Sequence, residues 1–184
     1  MDNVTLLVIV LIALAIIVAL VIFFVSRRRG REQQERQEAA RREYGSEYDR
    51  LVEERGSERE AEQELRKRRE RLDDETRPLS EESRGTYHER WQWVERTFVD
   101  DPGASLGEAD QVVEEILTER NFPMDSRQEA SEGVGVMHPE VVEDFREAQR
   151  VHRNATGSQG GADLEEMRQA IQKYRSVYER LTER

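Results

Sequence analysis

Val4 to Val25 is an unbroken run of 22 residues in which Thr5 is the only polar side chain. At about 1.5 Å of rise per residue, a helix of this length crosses a hydrocarbon core of roughly 30 Å. A helix also satisfies its own backbone polar groups, which lipid cannot do. No Lys or Arg precedes the run, as a signal peptide would require, and Arg27, Arg28, Arg29 and Arg31 follow it where a small-residue cleavage site would stand. The run therefore reads as a retained membrane anchor in contact with the bilayer. The positive-inside rule places the arginine flank on the cytoplasmic side, with the N-terminus outside and the rest of the chain cytoplasmic at the plasma membrane.

The overall charge of −11 hides a division. Residues 1–31 carry four arginines and one aspartate, a charge of +3, which leaves −14 for the remainder. So acidic a region is repelled by nucleic-acid phosphate, which argues against nucleic acid as a partner. The chain has no cysteine, which excludes disulfides, thiolate chemistry and cysteine-ligated metals.

From Glu32 to Glu75, 16 acidic and 11 basic residues are interspersed among 44. Opposite charges three or four apart favour a solvated helix. Residues 32–77 are accordingly expected to form a charged helical stalk. Tyr44, Leu51, Leu65 and Leu72 share a seven-residue register, as in a coiled coil, but Glu58 interrupts it and the complementary positions are mostly charged. Such a seam supports at most a weak homo-oligomer through the stalk. Gly56 should break the helix, with Ser57 and Glu60 capping a new one.

Pro78 and Ser80, in Arg77-Pro78-Leu79-Ser80, end the stalk and begin a bundle domain over 78–184. Four main helices are expected, over 81–99, from the Asp101 cap with Pro102 to about Arg120, from His138-Pro139 to near Asn154, and over 163–182. A short turn over Ser126 to Glu132 should precede Gly133-Val-Gly135, and Gly157 to Gly161 reads as a flexible loop. The last helix carries one apolar stripe of Leu164, Met167, Ile171, Tyr174, Tyr178 and Leu181. No segment alternates with period two, so the fold class is all-α: an anchor, a charged stalk and a small four-helix-type bundle.

Both tryptophans lie in the first of these helices. On a wheel of about 100° per residue, Tyr87, Trp91, Val94 and Phe98 form one stripe, the expected core face. Trp93 lies about 120° away, with Arg90 and Arg96 nearby. It either packs on the stalk or a loop, or stands exposed as an anchor for a protein partner, since Trp and Arg are enriched at binding hot spots. His88, His138 and His152 form no metal-binding spacing, and His138 before proline reads as a helix cap. Asp100 and Asp101 read as cap residues. Neither a nucleophile set nor a cofactor loop is present, so the sequence implies no enzyme and no cofactor.

The ordered motifs Tyr44-Gly45-x-Glu47-Tyr48-Asp49-Arg50, Arg77-Pro78-Leu79-Ser80 and Tyr87-x3-Trp91-x6-Phe98-Val99-Asp100-Asp101-Pro102 resemble those of a family of uncharacterised bacterial proteins, best known from actinobacteria. Ala109-Asp110 and Arg120-Asn121-Phe122-Pro123 resemble its next segment, with asparagine where that family usually has glycine. The resemblance covers most of the chain after residue 40. It implies one N-terminal span and a charged helical cytoplasmic region, and brings no assigned activity. The reading that follows is a membrane-tethered interaction or scaffold module. The alternative is a membrane-anchored sensor that binds a small ligand in a cleft lined by aromatic side chains.

Overall fold

The computed structural model describes residues 34–157 and 161–183. The apolar run 4–25, its arginine flank (Arg27, Arg28, Arg29 and Arg31) and residues 158–160 of the glycine loop lie outside the described residues. The chain divides into two compact units, residues 1–42 and 43–184. In the first, residues 34–42 are helical, and Arg42 pairs with Glu38 one turn away at 3.2 Å. Among the described residues every regular element is a helix, and no helix is long and apolar enough to cross a membrane.

The second unit contains α1 (Ser46–Arg55), α2 (Glu58–Glu75), α3 (Glu81–Thr97), α4 (Pro102–Glu119), α5 (Arg127–Met137), α6 (Val142–Thr156) and α7 (Leu164–Thr182). Five of their starts follow from local chemistry. Ser57, Ser80, Asp101, Ser126 and Asp163 each turn a side-chain oxygen onto the backbone N–H three residues on. That bond satisfies one of the donors a helix start leaves unpaired, and each cap is worth about 1 kcal/mol. The stops are equally local. Gly56 closes α1 at φ 68°, and Asn121 at φ 63° turns the chain beyond α4, where its Nδ2 donates to Glu75 O at 3.0 Å. Left-handed backbone favours glycine, and asparagine is among the few side chains that tolerate it.

α3, α4, α6 and α7 pack as a bundle, with α7 against both α4 and α6. Leu106, Val113, Ile116 and Leu117 of α4, Phe145 of α6 and Tyr174, Val177 and Leu181 of α7 meet in its core. Trp91 stacks on Tyr178 with ring centroids 4.6 Å apart. The aromatic stripe of α3 is three residues long: Tyr87, Trp91 and Val94 are buried, whereas Phe98 is half-buried. The helix ends at Thr97, so the periodicity that would carry Phe98 onto the core face no longer applies. On α7 the stripe begins late, since Leu164 is exposed and Met167 and Ile171 only partly covered.

The stalk reading needs correction. Residues 43–77 belong to the same compact unit as the bundle. α1 and α2 form a hairpin, and both pack on α5. The leucine register expected to face a second copy is spent inside the unit: Tyr44, Leu51, Leu65 and Leu72 are all buried. α5 has two covered sides. Ala130 and Val134 join the bundle core, while Val136 is buried outside it. Gly135 permits this approach. A methyl group there would come within 2.4 Å of the Glu47 side chain, and Glu47 is itself buried and clamped. Gly133 and Gly135 are therefore helical, and the short turn expected over 126–132 extends to the eleven residues of α5.

Candidate functional site

The surface singled out from sequence separates into three fates. Trp93 is 42% exposed and is the one exposed aromatic residue among the described residues. Arg90 is occupied internally: its Nε donates to Glu108 at 2.6 Å and its other nitrogens to Glu115, which ties α3 to α4. Burial would lower the Arg90 value, and these two carboxylates outweigh it, so its guanidinium titrates above the ordinary range. Arg96 is exposed, in the last turn of α3, where a cation also complements the negative end of the helix dipole. Of the trio, Trp93 and Arg96 are open to solvent.

The structure assembles a second constellation that helical periodicity does not reveal. Asp110 of α4 is buried, and three other helices converge on its carboxylate. The Arg127 guanidinium of α5 donates two parallel bonds to it, at 3.1 and 3.0 Å. Tyr174 of α7 donates its hydroxyl at 2.5 Å. His152 of α6 places Nδ1 2.9 Å from Oδ2, within ion-pair distance. Burial alone would raise the Asp110 value, but the donors His152, Arg127 and Tyr174 around it hold it far below the usual carboxylate range. Burial and the neighbouring negative charge drive the Tyr174 phenol in the opposite direction, far above its ordinary value. At neutral pH the pair is thus a fixed carboxylate and a fixed phenol. With Arg127 and His152 it pins four helices.

Beside it lies a cavity of about 280 Å³ where α1, α5 and α6 meet. Arg50, Arg127, Arg146 and Arg153 line it, together with Gln149 and Glu132. Buried Glu47 lies behind the guanidinium groups, bonded to Arg50 at 2.8 Å and also to Arg146. Two further cavities, one under α2 and one between α6 and α7, are lined chiefly by charged and amide side chains as well. Phe122 is the single aromatic residue in the three linings.

His138 is the other correction. It terminates α5 and does not cap α6, which begins at Val142 without a side-chain cap. Its ring is buried against Phe122, with centroids 6.3 Å apart, and neither ring nitrogen has a partner among the described residues. Burial, then Arg120 and Arg180, lower its value to about 4, against a minor opposing pull from Glu140. A base depressed in the folded state binds fewer protons there than when unfolded. Its neutral form therefore stabilises the fold above its unfolded value near 6.5, and that contribution drains away as pH falls toward 4. His138 alone should account for a loss of about 3 kcal/mol through this window, read by urea denaturation. A His138→Leu variant should show a shallower loss between pH 6.5 and 4.5, and equal slopes would dismiss this role.

These features define an acidic, all-helical bundle with an internal ionic pin and an arginine-lined cavity. No family model, curated protein or solved structure matches the chain.

Proposed function

We propose that the chain is a membrane-tethered interaction module. Residues 4–25 anchor it in the plasma membrane. Arg27, Arg28, Arg29 and Arg31 keep the helical region on the cytoplasmic face, where Trp93 and Arg96 are offered to a protein partner. The observation that carries the reading is the exposure of Trp93. Nine other aromatic side chains among the described residues are buried or half-buried, whereas this one leaves 42% of its surface in water. A solvated indole forgoes the burial that makes Trp among the most effective core residues, and recovers it when a partner covers the ring.

Trp93→Ala should leave the melting temperature within about 3 °C of the parent, because little packing is lost. It should weaken partner binding by about 2 kcal/mol or more, some thirtyfold. Affinity capture from native membranes, run in parallel on the parent chain and the variant, makes the comparison. Proteins retained by the parent and lost from the variant support the reading, and identical sets defeat it. Protease added to inside-out vesicles should digest the helical unit, and added to intact spheroplasts should spare it.

A further inference from the structure

The arginine-lined cavity contains two groups that the fold does not use. Arg50 and Arg146 hold buried Glu47, and Arg127 holds Asp110. Glu132, the one carboxylate in the lining, is taken by Arg50 at 3.2 Å and by Arg68 at 2.8 Å. Arg153, by contrast, is exposed and makes no ion pair among the described residues. Gln149 is only 3% exposed. Its Oε1 lies 3.3 Å from Ser131 Oγ, while its Nε2 is buried without an acceptor.

A buried N–H left unpaired costs about 1–3 kcal/mol, so a fold retains one only against some compensation. Both unmatched groups are donors, and both line the same cavity. Four guanidinium groups line the cavity. Arg50 is offset by Glu47 and Glu54, Arg127 by Asp110 and Glu114, and Arg146 by Glu47 and Glu143. Arg153 is left as the cation in the lining without an ion pair among the described residues. Guanidinium groups present paired N–H donors in a rigid plane, the arrangement that grips phosphate oxygens two at a time. At about 280 Å³ the cavity suits a phosphate, alone or with a small organic body, and is too small for a larger cofactor.

We propose that the cavity between α1, α5 and α6 is a phosphate-binding site, in which Arg153 and the Gln149 amide donate to the oxyanion while Arg50, Arg127 and Arg146, held in place by their own carboxylates, shape the wall. The site is independent of the Trp93 surface. Its occupant bridges α1 to α5 and α6, so binding consolidates the helical hairpin on the bundle.

The test uses the full chain in a mild nonionic detergent, titrated calorimetrically with inorganic phosphate while chloride holds the ionic strength constant. A parallel arm uses vesicles containing phosphatidic acid, to separate a free phosphate from a lipid headgroup. The expected result is saturable binding in at least one arm, weakened at least tenfold by Arg153→Ala. Gln149→Glu supplies the cavity with its own anion, so it should abolish the response and raise the melting temperature measured without phosphate. Arg153 is exposed, so Arg153→Ala should fold like the parent and suffices as a readout should Gln149→Glu fold poorly. Binding heats that are equal in the parent and Arg153→Ala overturn the proposal, as does the lack of a saturable response in both arms.

Discussion

A fragment beginning at residue 78 is expected to melt far below one beginning at residue 43. The shorter fragment keeps the bundle core of α3, α4, α6 and α7 but strips α1 and α2 from α5. That exposes Val136, which is 1% accessible in the intact unit, and deletes the buried hairpin residues Tyr48, Leu51, Leu65 and Leu72. It also removes polar anchors of α5. Arg68 no longer pairs with Glu132, and Arg69 Nη1 no longer donates to Val136 O at 3.1 Å. Arg146 loses Glu47, its buried partner. The backbone bond from Arg77 N to Arg120 O, 3.0 Å long, and the bond from Asn121 to Glu75 O go as well, which frees the turn after α4. Each fully buried leucine contributes about 1.5–3 kcal/mol, against a total stability of roughly 5–15 kcal/mol for a domain. The 78–184 fragment should therefore lose at least about 3 kcal/mol, or roughly 10 °C of melting temperature. Thermal denaturation followed by circular dichroism, with a dye that reports exposed apolar surface, makes the comparison. Equal melting temperatures and equal cooperativity in the two fragments would show that the hairpin is only an ornament.

This dependence also shows where sequence reasoning reaches and where it stops. Local signals were legible. The caps at Ser57, Ser80 and Asp101, the break at Gly56 and the bounds of α4 and α7 depend on residues within one helical turn of each other. The core face of α3 was legible for the same reason, up to the point where the helix stops. The place of α1 and α2 was not, because a leucine stripe with period seven looks the same whether it covers a second copy or another helix of its own chain. What distinguishes the two cases is Gly135, whose missing side chain admits Glu47 from a segment almost ninety residues earlier in the sequence. The ionic pin was hidden by the same kind of separation. Asp110, Arg127, His152 and Tyr174 lie on four different helices, and no spacing rule links them. A sequence signal was nonetheless available: Asp110 stands among Ala109, Val112 and Val113 on the apolar face of α4, where a carboxylate is costly unless donors reach it.

Replacing that carboxylate should have the largest effect of any single substitution in the molecule. Asp110→Ala leaves the Tyr174 hydroxyl buried without an acceptor and the Arg127 guanidinium without its bidentate partner, although Arg127 still reaches Glu114 at 3.1 Å. Breaking a buried pair from one side typically costs about 3–5 kcal/mol, most of it from the group left behind. Asp110→Asn should cost about half as much, since an amide oxygen still accepts from Tyr174 but carries no charge for Arg127 or His152. The sign of the pH dependence follows from the depressed carboxyl. A group whose folded value lies below its unfolded value of about 3.9 stabilises fully above that value, and loses its contribution as pH falls through the folded one. The gap in unfolding free energy between the parent and Asp110→Asn should thus be constant from pH 7 to about pH 5 and narrow below about pH 4. Urea denaturation of both proteins across that range measures it. Each is compared with the other at the same pH, so the titration of the many surface carboxylates cancels from the difference. A gap that does not narrow in acid would mean that the shape of the side chain, and not its charge, holds the four helices together.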